Sequence, residues 1–430
     1  MASSDPHGLL FAGLFLLLAL GCLVGALRAG RRRRLLDDTP LSKALGVFVG
    51  EVQIEGVCVV QQPFTSYLTE KPCVLYNWKI QEEWQRWETE TYKDGSGETR
   101  TRTVSKRGWT TVAEGSESAG FYLKDETGFL WVRPEGADIE CISFINDTYT
   151  PLDPLYFGKG PEGAISDSTG RRRFFEEGIP LGTSLFVHGR ARERQDIVAA
   201  EIAADPASEM FLISPRKEKD LSSSKNFWYW FLGMAGVVLT TLGSSILCKN
   251  LFPTFDNKII FVGPGLYALL WAAGWVWMVL NSLIGLKNRV FQAQSLIDVQ
   301  LKRRADLIPA LVACLQGYRN HEAAVQTLVA SLRGQSGASN LVAVKPHLLA
   351  LTEAYPDLLA VESFGQLKNS LVDTEDRLAL AREYYNSIVT FYNTRLEQVP
   401  DRQVAALASL QPATLLQVEG LERAAVGVKF

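Results

Sequence analysis

The chain has 430 residues, with 44 basic against 47 acidic side chains and a net charge of −3. That near-neutrality argues against nucleic acid as the main partner, and the length leaves room for two soluble domains. The six cysteines (Cys22, Cys58, Cys73, Cys141, Cys248 and Cys314) lie far apart, so neither a disulfide framework nor a zinc spacing appears. They read as small apolar residues of a core or a membrane segment, in a reducing compartment.

In chain order, the first element is an uncharged apolar run over residues 9–27. It is long enough to cross a bilayer core, which takes about 20 helical residues. A cleaved signal peptide carries its positive charge ahead of such a run. Here residues 1–8 contain no Lys or Arg, whereas Arg28, Arg31, Arg32, Arg33 and Arg34 follow it. An uncleaved anchor with its N-terminus outside is predicted.

Residues 40–213 follow with a β pattern of short apolar runs, several of them alternating, separated by turn signals. Residues 121–124 and 129–132 flank Asp125-Glu-Thr-Gly128 and read as a hairpin. A second hairpin is expected around Asp94-Gly95, between arms rich in Thr and Trp. The segment is predicted to be a compact antiparallel β-rich barrel or sandwich. Trp78, Trp84, Trp87 and Trp109 read as cross-strand packing rather than a ligand groove. Arg171, Arg172 and Arg173 fit a solvated loop or a contact with anionic headgroups, and His188 reads as structural.

Several runs in this segment resemble the GIDE-type domain of mitochondrial membrane E3 ubiquitin ligases and of many bacterial membrane proteins. They are Pro72-Cys-Val-Leu-Tyr76, residues 129–139, Arg172-Arg-Phe-Phe-Glu176, Gly182 with Val187-His-Gly189, and Phe211-Leu-Ile-Ser214. The resemblance covers about 40–225 and implies the fold and a membrane setting. Ligase chemistry resides in a separate RING, which needs closely spaced Cys and His pairs. This chain has no C-x-x-C, and His7, His188, His321 and His347 are scattered.

Apolar runs at 227–248 and 259–286 are predicted as the second and third membrane helices. Arg216, Lys217, Lys219 and Lys225 precede the pair, and Lys287, Arg289, Lys302, Arg303 and Arg304 follow it. Positive charge brackets one end of all three spans, which places both soluble domains in the cytoplasm. Gly263, Pro264 and Gly265 read as a helix irregularity inside the third span.

Residues 287–430 are predicted to be a C-terminal antiparallel helical bundle, making the whole an α+β membrane protein. Phe364, Leu367, Leu371, Thr374, Leu378, Ala381, Tyr385, Ile388 and Tyr392 repeat at alternating spacings of three and four, a heptad seam. A looser seam runs through Ile297, Leu301, Ala305, Ile308, Val312 and Leu315. Turns are expected at 334–337 and 355–356, and Pro400 ends the longest helix. Asp306 before Pro309 fits a helix start or kink. Without a break, residues 260–306 form one rod roughly 70 Å long at about 1.5 Å per residue.

From about residue 281 onward the chain resembles the LemA family. The resemblance rests on residues 297–309, Gly317-Tyr-Arg-Asn-His-Glu322, Glu353-Ala-Tyr-Pro-Asp-Leu358 and residues 385–394. It implies a long helical bundle on a membrane span, with relatives in bacterial envelope and internal-membrane organisation. The stretch 405–416 departs from the family's aromatic-rich tail by being mostly small and aliphatic.

Asp298, Arg303, Arg304, Asp306, Glu375, Arg377, Arg382 and Asn386 either form a site or make helix pairs and interhelix bonds, the structural reading being preferred. Gly182-Thr-Ser184 lacks the closing Gly of a nucleophile elbow, and neither a Walker loop nor H-E-x-x-H occurs. No catalytic, cofactor-binding or metal-ligating residue is assigned, and no cofactor is expected. The function expected is a membrane-anchored, non-catalytic scaffold at the cytoplasmic face of a bacterial membrane, organising proteins or lipids. The alternative is a GIDE-type ligase-like role in protein modification. The lipid bilayer, membrane or cytoplasmic proteins and a second copy of the chain are the partner classes, with nucleic acid excluded.

Overall fold

The computed structural model describes residues 6–93, 95, 98–194, 200–208, 210–251, 260–316 and 362–416. The expected turns at 334–337 and 355–356, the motifs at 317–322 and 353–358, and Asp94, His321 and His347 lie outside the described residues. The chain is α+β and divides into two compact units, residues 1–46 with 218–430, and residues 47–217.

In the β unit, a barrel closes through β1 (Gly50–Val59), β5 (Phe121–Lys124), β6 (Phe129–Val132), β11 (Ala200–Ala203) and β10 (Ser184–Glu193). Closure comes from β1, which pairs with β5 on one side and with β10 on the other, Gly50 opposite Ala191 through Val57 opposite Ser184. Alternation puts Phe121, Leu123, Leu130, Val132, Val52, Ile54 and Val187 in the interior. The first expected hairpin is β5–β6. Asp125 closes its turn, its Oδ1 accepting from Thr127 N at 2.7 Å and Gly128 N at 2.9 Å.

Among the described residues the expected antiparallel pairing holds for most strand pairs, with two exceptions. Strand β11 runs parallel to β6, and β12 (Leu212–Ser214) parallel to β7 (Asp138–Ile139). Both parallel pairs join strands far apart in sequence, a pairing that local turn signals do not reveal.

A second sheet has the order β2-β3-β9-β8, from β2 (Phe64–Thr65), β3 (Pro72–Lys93), β8 (Ile142–Tyr149) and β9 (Ser168–Pro180). Strand β4 (Thr99–Ser118) pairs with β3 from Leu75–Ser118 to Lys93–Thr99. This is the second expected hairpin, and it is longer than the sheet it starts from. Pairing of β3 with β9 stops at Trp84–Ser168. Beyond it, residues 85–93 and their β4 partners continue as a two-stranded ribbon. Nine residues at about 3.3 Å each carry it roughly 30 Å past the sheet. The residues are polar on both faces, so nothing in the pattern called for a third strand.

In the helical unit, three helices are long and apolar enough to cross a membrane: α1 (Pro6–Asp37), α3 (Glu218–Leu251) and α4 (Val262–Gln316). Helix α2 (Pro154–Gly158) belongs to the β unit. Leu10, Phe11, Leu17, Phe231, Leu269 and Trp277 are all more than half exposed. Such an apolar exterior suits hydrocarbon, not water, as solvent. Close helix approach depends on glycine. A Cβ at Gly236 would fall on the ring and hydroxyl of Tyr267, and one at Gly233 on Trp271.

Helix α4 is one 55-residue element, about 80 Å at roughly 1.5 Å per residue. No helix start occurs at Asp306, because α4 runs through Pro309. Gly263, Pro264 and Gly265 occupy its first turn, where a missing N–H costs no helical bond, and are not an interior irregularity. Helix α5 (Glu362–Glu397) packs antiparallel on α4, with Arg304 near Glu375 and Ser282 near Arg395. Every seam position from Phe364 to Tyr392 is buried except Leu367, which is half-buried. Thr374, the polar member, returns its hydroxyl to Ser370 O at 2.7 Å. Helix α6 (Asp401–Leu407) follows Pro400.

Candidate functional site at the base of the membrane helices

Helix α1 ends in Arg33, Arg34 and Asp37, and the chain then turns through Asp38 and Thr39. Five helices converge there, α1, α3, α4, α5 and α6. From α5, Arg395 bonds the Asp38 carboxylate and also Asp401 of α6, Nε to Oδ2 at 2.7 Å. From α1, Arg34 reaches Asp401 at 3.2 Å. From α4, Ser282 and Arg289 bond Asp38 and Thr39, with Arg289 Nη1 to Asp38 O at 2.9 Å. Ser222 of α3 donates to Asp37 at 2.5 Å.

Asp38 and Asp401 are each 6% exposed. Burial pushes the Asp38 carboxyl above its ordinary range, while Arg395, the Ser282 hydroxyl, Arg34 and Arg289 pull it back. Beside this cluster is a cavity of about 460 Å³. Tyr229, Trp275, Met278 and Phe391 make an apolar wall, and Arg33, Arg34 and Arg395 a charged one. The arrangement locks helix ends together around an amphipathic hollow.

Of the polar residues singled out on α4 and α5, Arg304 and Glu375 are brought together, while Arg303 and Arg377 both meet Asp373. Arg304, 4% exposed, meets Glu375 at 3.0 Å. Asp373 collects Arg377 at 3.0 Å and Arg303 at 3.6 Å. Asp298 and Asp306 are exposed, and Arg382 is half-buried.

Asn386 has a different role, which it shares with a residue not singled out, Asn393. The Asn386 amide bonds both Leu416 N (2.9 Å) and Leu416 O (3.2 Å). The Asn393 amide bonds Ala413 N (2.9 Å) and Ala413 O (2.8 Å). Tyr385 and Tyr392 donate their hydroxyls to Thr414 O and Gln411 O, each at 3.0 Å. The signal is present in the sequence as a Tyr-Asn pair repeated seven residues apart, but both tyrosines also serve the seam and are absorbed by it. Asp38, Arg395 and Asp401 left no signal, because their pairing is set by tertiary structure alone.

In the β unit, Arg172 lies inside strand β9 and is 0% exposed, which corrects the solvated-loop and headgroup readings. Its Nε bonds Glu82 at 3.0 Å, and its guanidinium holds the carbonyls of Tyr156, Pro161 and Gly163. Glu176, two positions on from the core residue Phe174, accepts from Leu68 N at 2.7 Å and Thr69 N at 2.9 Å. Arg172, Phe174 and Glu176 thus share one inward face.

The tryptophans pack differently from one another. Trp78 covers Gly115 and stacks on Tyr67 at 4.3 Å, Trp84 covers Gly108, and Arg173 lies over Trp109 at 4.7 Å. Trp87 is 68% exposed and packs in no interior. His188 is buried in the barrel with Glu51 at 3.6 Å. Burial and nearby glutamates push the Cys73 and Cys141 thiols up to about 11, far from a thiolate's range at neutral pH. Among the described residues no group of three His, Cys, Asp or Glu is placed to hold a metal ion.

Comparison with known proteins accounts for both units. Residues 88–248 match the GIDE family model, described as E3 ubiquitin ligase, and residues 293–430 match the LemA family model. Magnetosome protein MamQ 2 of Paramagnetospirillum magneticum is 33% identical over 70 residues, 16% of this chain and 26% of that protein. Magnetosome protein MamQ of Magnetospirillum gryphiswaldense is 36% identical over 53 residues, 12% of this chain and 20% of that protein. Protein LemA of Metamycoplasma hominis is 25% identical over 155 residues, 33% of this chain and 71% of that protein. The chain therefore spans about a quarter of the length of the magnetosome relatives it matches. No solved structure matches. The chain is a membrane protein in which a GIDE-type segment is fused to a LemA-type segment.

Proposed function

We propose that the protein is a non-catalytic scaffold anchored in a bacterial membrane, assembling proteins or lipids at the cytoplasmic face. In this reading the N-terminus is outside, and the β domain (40–213) and a helical bundle over 287–430 are both inside. The basic residues flanking the same end of all three spans support that orientation.

The observation that carries the scaffold reading is the β3–β4 ribbon. An isolated two-stranded ribbon is marginal in water. This one is laced with charge pairs, Lys106 to Glu88 at 2.7 Å and Arg102 to Glu90 at 3.2 Å, and has no apolar face. Yet it carries Trp87 at 68% and Tyr92 at 43% exposure. Exposed Trp and Tyr among arginines are the residue types that dominate protein interfaces. A protruding arm of this kind suits grasping a partner and serves no enclosed chemistry.

The test is pull-down of the intact chain from mild detergent, with mass spectrometry, beside a variant whose residues 86–106 are replaced by a short turn. Partners should be lost while the melt of the rest is unchanged. An identical partner set would sink the reading. Reporters fused after Lys217 and inserted near Thr254 should report inside and outside, respectively.

The GIDE match favours one rival, a ligase-like role in protein modification. The two part cleanly in an assay. Scaffold function predicts no stoichiometric zinc and no self-ubiquitination with purified conjugating enzyme. Either result in the positive supports the rival.

A further inference from the structure

The Tyr-Asn repeat on α5 has the geometry of a reader of peptide main chain. Seven residues of helix advance about 10.5 Å. Three residues of extended or polyproline-type chain advance roughly 9–10 Å. Asn386 and Asn393 are seven apart on the helix, and the residues they hold, Leu416 and Ala413, are three apart on the antiparallel tail. Each asparagine amide donates to a carbonyl and accepts from the N–H of the same residue, as a neighbouring strand would. The two tyrosine hydroxyls add a carbonyl contact each, one within and one outside that pair.

What the face does not read is side chains. Along 411–416 every side chain is exposed except Ala413, which is half-buried; Leu415 is 52% and Leu416 41% exposed. The occupant is fixed by its backbone, with little apolar burial. Pro412 is tolerated because the two N–H groups used are those of residues 413 and 416. A segment held only to order the tail would be expected to bury its leucines.

We propose that the α5 face formed by Tyr385, Asn386, Tyr392 and Asn393 is a binding site for an extended peptide of tolerant sequence, with residues 411–416 as its tethered occupant. The ligand requirement is two free N–H groups three residues apart, in a chain without helical structure. Tethering gives the resident tail an effective concentration in the millimolar range, so a competing peptide gains the site only above that threshold or once the tail is drawn away. This goes beyond the scaffold reading and does not depend on it.

The experiment uses the full chain in detergent with a protease site inserted between Ser409 and Leu410, cut after folding. A labelled peptide of residues 410–416 should then bind, read by fluorescence anisotropy. N-methylation at the Ala413 or Leu416 amide should weaken it about tenfold, the worth of one hydrogen bond to each. Exchange of the Thr414 and Leu415 side chains should change affinity less than about threefold, and Asn386→Ala with Asn393→Ala, which together remove four hydrogen bonds, should weaken it by more than about a hundredfold. No binding to a cut chain with an intact melt overturns the proposal, as does an affinity set by the side chains at 414 and 415. If the cut chain melts early, amide exchange in the uncut chain decides. Asn386→Ala should speed exchange at Leu416, and Asn393→Ala at Ala413, with the melt unchanged. Unaltered exchange at both overturns it equally.

Discussion

The two units bury charge for different ends. In the β unit, Arg172, Glu82 and Glu176 are 0% exposed and every bond they make stays within neighbouring strands and loops. In the helical unit, Asp38, Arg304 and Asp401 keep 4–6% exposure and tie together helices that the chain reaches separately. The first pattern makes one fold rigid. The second fixes where membrane helices end against a helical hairpin. Charged motif residues in the β unit therefore identify a fold, whereas those in the helical unit mark its assembly points.

The sharpest break of this contrast is at Arg172. Its removal takes away the cation beside Glu82 in an enclosed site, leaving that carboxylate the Ser168 hydroxyl, and leaves three carbonyls without this donor. Arg172→Ala should cost about 3–5 kcal/mol, the penalty for an uncompensated buried charge. Arg304→Ala should cost less, because the Glu375 side chain is 11% exposed and can draw water. Denaturant melts of both variants measure the order. A larger loss at Arg304 would erase the distinction.

The apolar seam of α5 comes next. Leu371 and Leu378 are 0% and 1% exposed, so either change to Ala should cost about 2–5 kcal/mol in the same melts. A loss under about 1 kcal/mol would mean that the site collapses without a cavity.

The seam shows what could be read from the sequence. Its positions were legible because a helix repeats every 3.6 residues and the heptad keeps one stripe inward. Spans were legible for the same kind of reason, length and absence of charge. The barrel's strands were legible from alternation, but its closure through β1 and β10 was not, because register between strands over a hundred residues apart leaves no local periodicity. The ion cluster was silent for the same reason. Asp38, Arg395 and Asp401 are single charges in ordinary settings until the chain folds them together. The ribbon was half legible: the turn was marked by Asp94-Gly95, but the length of arm beyond the sheet depends on where β9 stops.

A smaller effect separates helix packing from the ion cluster within the helical unit. Gly236→Ala places a methyl on Tyr267, an overpacking cost of about 1–3 kcal/mol. Shortening the partner with Tyr267→Leu should restore much of the loss in a thermal melt in detergent. If the double variant melts no higher than Gly236→Ala alone, the two helices do not meet as described.

The smallest expected effect lies on the exposed ribbon, where charge pairs face water instead of protein. The hydrogen bond from Arg102, then that from Lys106, holds the Glu90 carboxyl below its ordinary value of 4.5. Because the folded value is the lower one, the pairing favours the ribbon above the ordinary glutamate range, and its contribution disappears as pH falls through the folded value. Salt should weaken it, since the pair is exposed and screened within about 10 Å at 0.1 M. Carbon-detected NMR titration of the Glu90 carboxyl reads this directly. Arg102→Ala should move its midpoint up towards 4.5, and raised salt should do the same in the unaltered chain. A midpoint already at or above the ordinary value would mean that the ribbon's charges are merely neighbours, and that its Trp and Tyr must be kept in place by something other than the cross-strand pairs.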